Sequence, residues 1–98
     1  MSTVPQAATG LTARALLDVL AVRQPGRSLE VRVPPVAAVQ CMPGPQHTRG
    51  TPPGVVETDP QTWIRLAAGR VGWEQVVDDG RVLASGERAD LSRVLPLL

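Results

Sequence analysis

The stretch "ETDPQTWIRLAAGRVGWEQVVDDGRVLASG", residues 57–86, decides the fold. Its strongest local signal is Asp59-Pro60. Aspartate is a preferred N-cap because its carboxylate accepts hydrogen bonds from the first unpaired amides of a helix. Proline at the first helical position lacks an N–H to leave unpaired, and its fixed φ already suits the helix. A helix over "PQTWIRLAA" is therefore expected, with Trp63, Leu66 and Ala67 as its inward stripe and Gly69 as its stop. After "RVG", Trp73, Val76 and Val77 give a second short stripe that ends at Gly80. "RVLASG", residues 81–86, then reads as a strand.

Upstream, "SLEVRV" alternates, with Leu29, Val31 and Val33 on one face and Glu30 and Arg32 on the other. This is the pattern of a half-buried strand. Pro34-Pro35 removes two ladder donors, so the strand must end or bend there. "VAAVQC", residues 36–41, resumes as a second strand, and "VVET" reads as a third after a proline- and glycine-punctuated loop. Before them, Ala13, Leu16, Leu17 and Leu20 fall at helical spacing, and Gln24-Pro25-Gly26 stops that helix. Residues 1–10 are small and polar and read as a flexible N-terminal tail, leaving 11–98 as the domain. At the other end, Asp90 is expected to cap a last helix carrying Leu91, Val94, Leu95 and Leu98. The order predicts an α+β fold, a mainly antiparallel sheet of four to five strands covered on one side by helices.

Length and composition bound the function. At 98 residues the chain makes one domain, which buries about 60% of its unfolded surface. All ten basic residues are arginines against nine acids, a formal net charge of +1. Together with the abundant Ala, Val, Gly and Pro, this matches the bias of a GC-rich genome. The near-zero balance lacks the basic footprint of a nucleic-acid binder. Trp63 and Trp73 are the only aromatics, so base-stacking platforms are missing as well. The lone Cys41 cannot form an internal disulfide, which suits a reducing cytoplasm. "MSTVPQAATG" carries no basic stretch followed by an apolar run, so no signal peptide is expected, and no apolar run approaches the ~20 residues of a transmembrane helix.

The second half resembles the sterol carrier protein 2-like superfamily. The resemblance is carried by Asp59 opening a helix with large apolar residues, Gly69-Arg70 ending it, and a short helix reaching Gly80. It continues in Arg81, Gly86 and Glu87 on a strand that leads into a leucine-rich end. "VRVPPVAAVQCMPGPQHTRGTPPGVVETDP" resembles a small bacterial, actinobacterial-type subgroup, and together these cover about residues 11–98. The resemblance implies a non-enzymatic carrier with an apolar tunnel between sheet and helices for a lipid, fatty acid or acyl-CoA, and no cofactor. Leu16 and Leu20 of the first helix and Val39 of the second strand would line it, with Trp63, Leu66, Trp73 and Val76 from the middle helices and Leu95 and Leu98 from the last. The absence of Phe and Tyr leaves few bulky groups to fill such a space, although a core closed around smaller residues fits equally well. An alkyl chain gains about 0.8 kcal/mol per buried CH₂ in such a space. Leu97 and Leu98 are costly in water and point to docking as core, as a lid or in a homodimer contact.

"HTRGTPPG" holds the remaining chemistry. His47 and Cys41 could pair as base and nucleophile, but no carboxylate is evidently placed to orient the histidine. One Cys and one His leave a tetrahedral metal site half filled. Arg49 offers a planar fork for a carboxylate or phosphate. At a tunnel mouth, His47 and Arg49 would hold a lipid head group. Elsewhere they would tie down the loop by bonding backbone carbonyls and Glu57. The alternative class is an accessory module that meets a bacterial enzyme without a ligand of its own.

Overall fold

Leu29, Val31 and Val33 turn one face of strand β1 (Leu29–Val33) into the core, and Glu30 and Arg32 pair with each other on the other face. The computed structural model describes residues 6–44 and 52–98. Helix α1 (Gln6–Arg23) precedes β1, and β2 (Ala37–Cys41) and β3 (Gly54–Thr58) follow it. Helices α2 (Pro60–Ala67) and α3 (Trp73–Asp78) lead to β4 (Val82–Gly86). The four strands form one sheet in the order β2-β1-β3-β4. β1 meets β2 and β3 meets β4 antiparallel, but β1 and β3 run parallel, so the sheet is mixed. The chain leaves β1, returns as β2 on one side, and crosses to the other side before entering β3.

The register explains the core. Val31 stands opposite Val39 on one side and Val56 on the other, and the alternation sends all three toward the helices. Trp63, Leu66 and Ala67 of α2 and Ala13, Leu17 and Leu20 of α1 close over this surface. Thr58 also points inward. Its hydroxyl donates to the Arg81 carbonyl at 2.7 Å, which settles a polar group 95% removed from solvent.

Two expectations change at the chain's ends. Helix α1 starts at Gln6 rather than near Leu11, so residues 6–10 are helical and not part of a tail. Gln6, Ala7 and Ala8 favour helix on their own, and Gly10 lies close to Val36, which anchors this first part against the β1–β2 turn. The last helix is reduced to one turn. Asp90 does accept the amide of Ser92 at 2.8 Å, and Val94 and Leu95 both donate to the Leu91 carbonyl at 3.1 Å. Pro96 has no N–H to continue the ladder. The chain then extends, so Leu97 is 5% exposed and Leu98 is 77% exposed. Leu98 is therefore not a core or cavity position, and Leu97 takes the inward place.

Candidate functional site

Helix α2 ends where a groove begins. The amides of Gly69 and Arg70 turn back onto the carbonyls of Leu66 and Arg65, and the chain reverses toward α3. The extended segment after Leu95 passes the same point. Leu97 and Leu98 donate their amides to the Ala67 carbonyl at 2.8 and 3.2 Å, filling an acceptor that a helix end leaves unpaired. Arg23, in the last turn of α1, donates from Nη1 to the Leu97 carbonyl at 2.5 Å. These bonds hold residues 95–97 across the ends of both long helices.

Between them lies an open groove of about 340 Å³. Leu66 and Trp73 supply its apolar surface together with Leu95 and Pro96, and Arg70, Gln75 and Ser92 supply polar groups. The Arg70 side chain is exposed and makes no hydrogen bond or ion pair among the described residues. Gly72 lines the same groove at φ −85°, and a Cβ there would meet open space.

The other expected lining residues are elsewhere. Leu16, Leu20, Trp63 and Val76 are closed into the core at 0–7% exposure, and Leu66 belongs to both core and groove. Val39 is half-buried against the core from β2. The grooves at Trp73, Leu83, Pro35-Val36 and Val22 do not join these positions beneath the sheet. His47 and Arg49 lie outside the described residues. Arg70, Gln75, Ser92 and Pro96 were not singled out as site residues. The signal for Arg70 was its position after Gly69, where a helix stop throws the next side chain off the helix surface.

A second groove, about 550 Å³, runs between the first turns of α1, Pro35-Val36 and the start of α2. Its only described charge is Asp59, whose two carboxylate oxygens already accept from the Thr62 amide and hydroxyl at 2.8 Å each. It offers apolar surface without a cation. Cys41 is buried, and burial pushes its thiol up to about 11. The thiol therefore stays protonated and poorly nucleophilic at neutral pH. No group of three metal-ligating side chains occurs among the described residues, and no described helix is long and apolar enough to cross a membrane.

The family model described as bacterial SCP ortholog matches residues 5–97. The chain belongs to that family. The match starts at the first turn of α1 and reaches Leu97, so it takes in the whole mixed sheet, both long helices and the strap that Leu97 forms. The match thus spans every strand and helix of the α+β architecture. No curated protein matches the chain.

Proposed function

We propose that this SCP-family domain is a non-enzymatic carrier that takes a lipid or fatty acyl group at the Trp73 groove. The observation that supports it is the meeting of Leu66, Trp73 and Leu95, from three separate segments, beside an Arg70 that has no partner among the described residues. The apolar end of the ligand lies against these side chains, and the Arg70 guanidinium contacts a carboxylate or a phosphate of an acyl-CoA. Arg70 thereby takes the role that the sequence suggested for Arg49 and His47. The groove is at the small end of the ~300–1,000 Å³ usual for ligand pockets, which favours part of an acyl chain over a large ring system. Binding is reversible partition, with each buried CH₂ contributing about 0.8 kcal/mol before ordering costs.

The test is native mass spectrometry of protein purified from its own host, followed by titration with decanoic acid and decanol on tryptophan fluorescence. Carriage predicts a co-purifying acyl species. Arg70→Ala should then weaken decanoate about fivefold and decanol hardly at all. Gly72→Leu, which places a side chain in open space, should weaken both. Clean apoprotein that takes up neither ligand overturns the carrier reading. A second reading, an accessory module that meets a partner enzyme without a ligand, draws on the closed core around Leu16, Leu20 and Trp63.

A further inference from the structure

Among the described residues, the sheet stops at β4 without a further neighbour. There β4 pairs only with β3, and Leu83, Ala84, Ser85 and Gly86 are all exposed, Leu83 to 63%. The direction of its free backbone groups follows from one bond. The Glu87 amide donates to the Pro53 carbonyl at 3.2 Å. Antiparallel partners alternate between bonded and non-bonded pairs. Stepping back along the β3–β4 register, Ser85 and Leu83 turn their N–H and C=O groups to β3. Val82, Ala84 and Gly86 turn theirs outward. Proteins blunt such edges with prolines, inward charges or short strands, but Val82–Gly86 contains neither a proline nor a charge.

The charges stand just outside the strand, and they are self-complementary. In "RVLASGE", residues 81–87, Arg81 and Glu87 lie at equal distances from Ala84. When the segment is laid against a reversed copy about Ala84, Val82 faces Gly86, Ala84 faces Ala84, and Arg81 faces Glu87 at both ends. The parity agrees with the backbone. The facing pairs made by Val82, Ala84 and Gly86 are those whose polar groups point outward, so they become the bonded pairs. Arg81 and Glu87 stand one residue beyond the two ends of β4, Glu87 in the turn that follows Gly86, so each charge lies beside the oppositely charged end of the reversed copy. Arg81 uses Nε and Nη2 on Asp79, and Nη1 is left unengaged among the described residues. Glu87 is exposed and has no ion pair among them.

We infer that β4 docks antiparallel on β4 of a second copy of this chain, about a two-fold axis at Ala84, joining the two sheets into one. The contact is isologous, so one strand supplies both halves of every interaction. An unrelated extended peptide would pair with the same backbone groups but would not require both an arginine and a glutamate at these offsets.

Sedimentation velocity of the full chain over a concentration series tests the inference. The wild-type chain should pass from monomer to dimer as concentration rises. Arg81→Glu places two glutamates opposite each other at each end, and Glu87→Arg places two arginines there. Each variant alone should dimerise about tenfold more weakly or worse. Mixed in equal amounts, the two variants should form a heterodimer with the wild-type affinity, because every facing pair is then of opposite charge. Ala84→Pro removes the central outward N–H at an edge position that accepts proline, and should remain monomeric with an unchanged circular dichroism spectrum. A wild-type chain that stays monomeric throughout overturns the inference, as does a dimer that none of these variants weakens. Failure of the mixed variants to recover affinity, when each alone keeps the wild-type circular dichroism spectrum, overturns it as well.

Discussion

The indole Nε1 of Trp63 donates a 3.0 Å hydrogen bond to the Ala13 carbonyl, fifty residues earlier in the chain and fully inside the protein. The bond joins α2 to the middle of α1 and fixes how the two helices lie on each other. Trp63→Phe keeps a ring there but removes the donor and part of the volume. It should lower unfolding free energy by about 2 kcal/mol, read by urea denaturation with circular dichroism. Trp73→Phe, at a half-buried groove position, should cost less than about 1 kcal/mol. Equal losses would show that the Trp63 bond does not hold the helices together.

Asp59 should matter through its carboxylate. Both of its oxygens hold Thr62, one at the amide and one at the hydroxyl. Asp59→Ala is expected to cost about 1–2 kcal/mol, and Asp59→Asn or Asp59→Ser to restore most of it, because each keeps an acceptor for the Thr62 amide. Thermal melting of the three variants side by side checks the order. Alanine melting with the wild type would mean that Pro60 alone starts the helix.

Cys41 links burial to alkaline pH. Its thiol is pushed from an ordinary 9.0 up to about 11 in the folded chain, by burial. A raised value means the fold holds the proton longer than the unfolded chain does. The associated stability is complete below pH 9 and is lost as pH rises from 9 toward 11. Unfolding free energy of the wild type should therefore fall over that window more steeply than that of Cys41→Ala, even though the variant starts lower. At pH 8 a disulfide reagent should label Cys41 slowly in buffer and rapidly in denaturing urea. Fast labelling of the native chain would place the sulfur at the surface.

Gly80 and Gly86 separate backbone strain from collision. Both sit at left-handed φ, +81° and +82°, but a Cβ at Gly80 meets nothing whereas one at Gly86 would run into the Pro53 carbonyl oxygen. Gly80→Ala should cost about 1 kcal/mol, from strain alone. Gly86→Ala should cost at least about 1 kcal/mol more. Matched melting temperatures would show that β3 and β4 can part there without loss.

The elements were legible where the signal is local. Asp59-Pro60 marked the start of α2 to the residue, and Leu29, Val31 and Val33 showed their shared face by alternation alone. What stayed hidden depends on distant partners. Nothing local in Val31 says that Val56 lies beside it in the same direction, so the parallel pair was not foreseen. Residues 6–10 read as tail from their small, polar side chains, and the closeness of Gly10 to Val36 has no local signal. Leu95 and Leu98 share a helical stripe only if Pro96 is ignored. The same limit applies to the candidate site. Leu66, Trp73 and Leu95 were named from their apolar character, but their meeting around Arg70 follows from the chain reversal at Gly69 and the bonds of Leu97 to Ala67.

The crossover puts β1 between β2 and β3, and β1, like β3, has a neighbour along its whole length on one side and along most of it on the other. No small opening of the sheet can free it. Solvent reaches the Val31 amide only when the hairpin on one flank or the parallel pair on the other has come apart, and each of these carries much of the core with it. In deuterated water, β1 and β3 should hold their protons longer than β2 and β4, and their loss should time the disappearance of the native state itself.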